Sequence, residues 1–177
     1  MKFFAALTLC LGFMGLLAPA ALAGSAPDTI ADVIVAAANK PDITPDSLPN
    51  DFARLARFVR HDGKGMVLFS DGGSTDGYVR HAQAHFDTTA PSVMAATKTP
   101  LFTIAFELVD QQDFTFSGFS AALAARLGTP SDSSDQAGAT FRMWTLKQPN
   151  GRIVRVDRGQ ASDNGDSVTI VQIMQNR

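Results

Sequence analysis

The sequence predicts an α+β fold, an antiparallel sheet of about five or six strands with two or three helices packed on one face. Three observations carry that expectation. Between Phe119 and Met174, a short helix with both ends marked is followed by three strands that form a local meander. Leu101 to Val109 alternates cleanly, with Phe102, Ile104, Phe106 and Leu108 on one side and Thr103, Ala105 and Glu107 on the other. The Pro149-Asn150-Gly151 and Asp163-Asn164-Gly165-Asp166 stretches carry the turn chemistry of hairpins.

The chain opens with Met1 and Lys2, then an apolar block from Phe3 to Leu17, then Ala21-Leu22-Ala23 before Gly24. A charged start, an apolar segment and a small-x-small site make a secretory signal peptide over residues 1–23. The apolar run is short of the roughly 20 residues a spanning helix needs. Cys10, the only cysteine, lies inside that segment and lacks the small residues that precede a lipidated cysteine. A mature chain cleaved near Ala23 therefore has no disulfide, cysteine nucleophile or thiolate metal ligand, and its core must hold it together. It would be periplasmic or extracellular.

Of 177 residues, 154 remain after residue 23, the size of one ordinary domain. They carry 14 basic and 17 acidic side chains, a balance that argues against nucleic acid as a partner. No second apolar stretch is long enough to form an integral membrane segment.

Residues 24–50 form a Pro-rich N-terminal segment, with Asp28 placed to cap a short helix carrying Ile30, Val33, Ile34 and Ala37. Residues 51–177 are expected to form the single α+β domain. Asp51 to Arg60 reads as a helix, with Phe52, Leu55, Phe58 and Val59 on one face and Arg54, Arg57 and Arg60 on a solvated one. A turn at His61 to Gly65 leads to a short strand from Met66 to Phe69. The Gly-rich stretch from Asp71 to Gly77 is a hairpin connection, because it has neither the Lys-Ser/Thr ending of a P-loop nor dinucleotide-type glycine spacing. It also lacks the alternating oxygen ligands of a calcium loop.

Tyr78 to Asp87 is a strand, and a helical turn is expected near Val93 to Ala96 before the strand at Leu101. In the next helix Ser117 or Ser120 is the expected cap, Phe119, Ala122, Leu123 and Leu127 the buried face, Gly128 the C-cap and Pro130 the stop. Ser131 to Gly138, polar and small, reads as an exposed loop. Strands at Thr140 to Lys147, Ile153 to Asp157 and Val168 to Met174 complete the chain, the last with apolar residues on both faces, as an interior strand has.

Leu127-Gly128-Thr129-Pro130 closing a helix, then a loop, a Trp-bearing strand and a Gly-turn hairpin, resembles the small outer-membrane assembly lipoproteins. The resemblance is one of architecture, and this chain lacks the anchoring cysteine of those proteins.

Chemistry-bearing residues are few. His81 and His85 share one face whether their segment is strand or helix, so they are the candidate metal pair, with His61, Asp87 or Asp76 as a third ligand. No Glu follows His81 to supply the general base of the H-E-x-x-H pattern. Glu107, the only glutamate, is the candidate acid or base. Asp157, Asp163 and Asp166 are explained by turn chemistry. Arg142, Trp144, Arg155 and Glu107 are the candidate ligand-binding residues, since an aromatic beside guanidinium groups suits an acidic or carbohydrate-like ligand.

No nucleophile elbow or cofactor motif is present. The expected function is thus a non-enzymatic, exported module of the cell envelope that binds a small ligand or an envelope protein, with no resident cofactor. The alternative is a metal-dependent hydrolase in which His81 and His85 hold a divalent ion.

Overall fold

The computed structural model describes residues 25–91, 100–136, 139–146, 151–161 and 165–175. Residues 1–23, the turn expected at Val93 to Ala96, Pro149-Asn150 and Asp163 lie outside them. The elements run α1 (Ala26–Ala38), α2 (Leu48–Asp51), β1 (Ala56–Gly63), β2 (Met66–Ser74), β3 (Val79–Pro91), β4 (Pro100–Val109), α3 (Phe116–Leu127), β5 (Asp132–Gln136), β6 (Ala139–Thr145), β7 (Arg152–Gln160) and β8 (Ser167–Gln175).

This corrects the predicted fold class. The protein is mostly sheet: the eight described strands belong to one antiparallel sheet in the order β1-β2-β3-β4-β8-β7-β6-β5. Of the three described helices, one is a single turn of four residues. Irregular chain between α1 and β1 adds to the covering layer through Ile43, Phe52 and Leu55, all fully or almost fully buried. The two strands absent from the predicted six are the two edges, β1 and β5. The segment expected to be a helix from Asp51 to Arg60 instead closes α2 at Asp51, turns, and enters β1 at Ala56. Its apolar residues match helical spacing, but pairing with β2, from Ala56 opposite Ser74 to Gly63 opposite Met66, overrides that local pattern. Arg57 and Arg60 therefore lie on an edge strand, with Arg60 bonded to Asp46 and Asp62 at 2.5 and 2.8 Å.

The element order repeats. A helix precedes a four-stranded meander twice, α1 with β1–β4 and α3 with β5–β8, and the two meanders join through β4 and β8. The strand order is thus symmetric about the β4/β8 pair, where Ala105 faces Gln172 and Phe106 faces Val171. In β8 this interior position buries Val171 and Ile173 while Ile170 and Met174 stay half-buried.

One face of the sheet is covered. Phe69 of β2, Phe86 of β3, Phe102 and Phe106 of β4, and Val154 and Val156 of β7 meet α1, α3 and the chain between α1 and β1. Phe52 and Phe106 sit with ring centroids 5.1 Å apart, and Phe86 and Phe102 5.5 Å apart, within the range of favourable aromatic contacts.

Both long helices are anchored at their ends. Ser25, rather than Asp28, caps α1, and its hydroxyl also donates to Asp28 Oδ2 at 2.6 Å. Thr115, rather than Ser117 or Ser120, caps α3 by accepting from the Gly118 N–H at 3.1 Å. Gly128 ends α3 with φ of 83°, a conformation that favours glycine. Its carbonyl accepts from Trp144 Nε1 at 2.9 Å.

Arg152 is the largest fully buried side chain among the described residues. Its guanidinium donates to the carbonyls of Ala37, Ala38, Lys40 and Pro41 and to Gln175 Oε1, at 2.5 to 3.2 Å. A cation here satisfies the carbonyls that α1 and the following turn leave over, and it favours the negative end of the helix dipole. Burial pushes the Arg152 guanidinium down to about 10, opposed by the charges of Asp42 and Asp51, so it stays charged at neutral pH. At the other end of α1, Arg126 of α3 bonds Asp32 at 2.7 Å and Asp28 at 3.0 Å. Among the described residues no helix is long and apolar enough to cross a membrane.

Candidate functional site

The face of the sheet opposite the helices carries a groove of about 840 Å³ across β1–β4 and β8. Strand alternation builds it. On β3, Ala82, Ala84 and Phe86 are buried beneath the covering layer, which sends His81, Gln83 and His85 to the other side. The register then places His61 of β1 opposite Leu68 of β2, Leu68 opposite His85, and His85 opposite Thr103 of β4. Along the same strands His81 faces Glu107, and Gln83 faces Ala105, which faces Gln172 of β8.

All three histidines of the chain and its only glutamate therefore line one groove. His61 Nε2 lies 2.8 Å from Ser70 Oγ. His81 Nδ1 lies 3.6 Å from Asp71 Oδ2, and its side chain is 65% exposed. His85 has no hydrogen-bond partner among the described residues. Glu107 Oε1 is 3.5 Å from Arg80 Nε, both side chains being largely shielded. The floor is low, because Ala105 and Thr103 are short, and Leu68 and Ile170 supply apolar walls.

The groove is suited to holding a small molecule more than to ligating a bare ion. On a strand, residues four apart are roughly 13 Å apart along the chain, so His81 and His85 share a face without converging on one point. The Cα atoms of His61 and His85, two strands apart, are separated by roughly 10 Å. Among the described residues no three His, Asp, Glu or Cys side chains gather closely enough to hold a metal ion. Asp76 accepts from the Tyr78 and Val79 N–H groups at 2.9 and 3.3 Å, and Asp87 accepts from Thr89, so both shape the ends of β3.

The four residues expected to bind ligand together are split between the two faces. Glu107 and Arg155 lie on the open face. Trp144 is 2% exposed on the covered one, where its indole closes α3. Arg142 faces Val156 on the covered side, holds Asp135 with two bonds of 2.7 and 2.9 Å, and sits 5.8 Å from the Phe116 ring centroid. Arg155 grips Asp157 at 2.7 Å and lies 4.6 Å above the Phe141 ring, its protonated form stabilised chiefly by the Asp157 hydrogen bond. Neither of these two arginines stands free to meet an acidic ligand.

The sequence points to the histidines, to Gln83 between His81 and His85, and to Glu107, but not to Ser70, Asp71 and Gln172 as their neighbours. A signal for the β3 part was present: His81, Gln83 and His85 form an unbroken polar face opposite Ala82, Ala84 and Phe86. The cross-strand neighbours depend on register, which no local pattern in β2 or β8 specifies. Comparison with family models, with curated proteins and with solved structures returns no match to this chain.

Proposed function

We propose that this chain is an exported, non-enzymatic binding module whose working surface is the groove on the open face of the sheet. The observation that carries the reading is the convergence of His61, His81, His85 and Glu107 on one groove of about 840 Å³. That volume lies within the roughly 300–1,000 Å³ of small-molecule sites, which combine apolar walls with a few polar groups. The groove has this composition, with Leu68, Ala105 and Ile170 among imidazoles and amides. A ligand with an apolar body and polar substituents matches it.

The test uses an amphipathic fluorescent probe, anilinonaphthalene sulfonate, added to the purified protein. The expected result is saturable binding at one site, with backbone amide shifts confined to β1–β4 and β8. Ala105→Trp, which fills the floor from the solvent side, removes the binding and leaves the circular dichroism spectrum unchanged. Shifts scattered over both faces, or a signal that survives Ala105→Trp, overturn the reading. Export is tested separately by sequencing the N-terminus of the protein recovered from the periplasm, expected to begin at Gly24; an intact Met1 there or retention in the cytoplasm overturns it.

A further inference from the structure

We infer that the groove takes an uncharged, polyhydroxylated ligand, a short neutral oligosaccharide, with one ring seated on Ala105 between the Gln83 and Gln172 amides. This rests on the reading of the groove as a binding site and names the ligand class for it. Charge comes first. Apart from the imidazoles, the ionisable side chains that line the groove are the carboxylates of Asp71 and Glu107, with no Lys or Arg among them. A ligand recognised by its own negative charge finds no cation there to hold it. Each carboxylate also has a neighbour already: Asp71 Oδ1 accepts from the Gly73 N–H at 2.7 Å, and Glu107 Oε1 lies 3.5 Å from Arg80 Nε. Both keep spare lone pairs that hydroxyl groups can fill.

The unused hydrogen-bonding groups narrow the class further. Gln83, His85, Thr103 and Gln172 line the groove, and their side chains make no hydrogen bond to other described residues. Each amide offers two donors and an acceptor, and the hydroxyl and imidazole add both kinds. An ammonium only donates and a carboxylate only accepts. Either would cover part of this set without pairing it, which costs binding free energy. A hydroxyl does both, and two adjacent hydroxyls on a sugar ring, one donating and one accepting, match the two ends of a single amide.

The strand register sets where a ring lies. Gln83 faces Ala105 and Ala105 faces Gln172, so two amides stand on either side of one methyl group, their Cα atoms roughly 10 Å apart. The Ala105 methyl, with Ile170 two residues from Gln172 on β8, offers a small apolar surface to the C–H face of the ring. Along β3, His81 and His85 follow at roughly 7 Å on either side of Gln83, so polar groups continue beyond the central ring. From His61 of β1 to Gln172 of β8 the groove crosses five strands, roughly 19 Å, which favours two or three linked rings over one. Phe69 and Phe106 belong to the covered core, so hydrogen bonds rather than ring stacking carry the affinity. A dissociation constant near the millimolar range is expected.

The experiment titrates the purified protein with three neutral trisaccharides, maltotriose, cellotriose and triacetylchitotriose, and with trigalacturonate and spermidine as acidic and cationic probes. Backbone amide shifts and displacement of the fluorescent probe are followed. At least one neutral trisaccharide is expected to saturate, to shift amides of β3, β4 and β8 around Ala105, and to displace the probe. Gln83→Ala and Gln172→Ala each weaken it roughly threefold to tenfold, the worth of about one hydrogen bond, and Ala105→Trp removes it. His61→Ala, whose ring is already bonded to Ser70, has a smaller effect than either glutamine variant. Trigalacturonate and spermidine bind more weakly than the best neutral ligand. Circular dichroism confirms that each variant is folded. Tighter binding of the acidic or cationic probe, or trisaccharide binding that both glutamine variants leave intact, overturns the assignment. If no trisaccharide saturates while the fluorescent probe still binds and Ala105→Trp blocks it, the saccharide inference falls and the groove reading stands. If neither binds, both fall.

Discussion

The two halves of the sheet share a layout and differ in how their side chains are employed. Each half is a helix followed by a four-stranded meander, and β3 occupies in the first the place that β7 occupies in the second. On the open face β3 presents His81, Gln83 and His85, whereas β7 presents Ile153, Arg155 and Asp157. In the second half the polar groups satisfy one another: Arg155 is locked to Asp157 and laid over Phe141. In the first half the imidazoles and amides face a groove. One backbone plan thus gives a surface closed by side-chain pairing over β7 and a groove over β1–β4 that reaches across to Ile170 and Gln172 of β8.

The helices differ in the same way. Each ends beneath a sheet side chain that accepts the task of closing it, but Arg152 closes α1 with a buried charge and Trp144 closes α3 with a neutral indole. Arg152→Ala would strand several buried carbonyls and leave a cavity beside Phe102, so the expected loss is on the order of 4 kcal/mol in urea denaturation. Arg152→Lys is expected to recover only part of it, since an ammonium is unable to reach the same set of acceptors. A loss below about 1 kcal/mol for Arg152→Ala, the net value of one ordinary hydrogen bond, would remove the contrast between the two closures.

How far the sequence discloses this organisation depends on where each residue sits in the sheet. The interior strands β3, β4, β7 and β8 announce themselves, because burial imposes alternation on their side chains. The edges do not. The β5 sequence, Asp132 to Gln136, has no apolar residue, and it reads as a loop because only its pairing with β6 makes it a strand. In β1 an accident of spacing imitates a helix. Charged and polar edge strands resist pairing with other chains, so the property that protects them also hides them. Arg152 was legible in principle, since it alternates with Val154 and Val156, but an arginine beside a turn ordinarily faces water. The histidine face of β3 was readable from alternation. The separation of Trp144 from Glu107 was not, as it depends on which side of the whole sheet meets the helices.

Trp144→Phe probes the neutral closure. It keeps most of the buried ring and removes the Nε1–H donor to the Gly128 carbonyl, with an expected cost of about 1–2 kcal/mol. The ratio of this loss to that of Arg152→Ala measures how unequally the halves are fastened.

The contact between the helices themselves is tested by Arg126→Ala, which releases Asp28 and Asp32 of α1 from α3. These carboxylates are substantially exposed, so the expected fall in melting temperature at neutral pH is only roughly 2–4 °C. Its pH dependence is more informative. The Ser25 hydroxyl, and after it the Arg126 guanidinium, hold the Asp28 carboxyl below its ordinary value of 3.8. A carboxyl lowered in the folded state adds stability that is complete above its unfolded value and disappears as the pH falls through the folded one. Arg126→Ala is therefore expected to narrow the gap from the parent below about pH 4. A gap that stays constant down to pH 2 would mean that the helices are held by packing alone.

The smallest expected stability change bears most directly on the difference between the two open faces. Arg155 is 38% exposed in its side chain, so the Asp157 pair is screened, and Arg155→Ala is expected to cost no more than about 0.5 kcal/mol. What it changes is the surface: the Phe141 ring loses its guanidinium cover, and Asp157 loses its partner on the same strand. If side-chain pairing alone closes the second half, the variant should acquire a second, weaker site for the fluorescent probe, and that site should survive Ala105→Trp in the double variant. Continued binding at one site would locate the difference in the backbone instead. The first half has a natural candidate for such a cause, the register shifts in β1 and at the start of β3, where Val79 faces Leu108 and His81 faces Glu107. A shift of this kind redirects side chains as well as backbone. In that event the receptive face arises from the irregularity that breaks the symmetry, and the histidines occupy a groove that the strand geometry had already made.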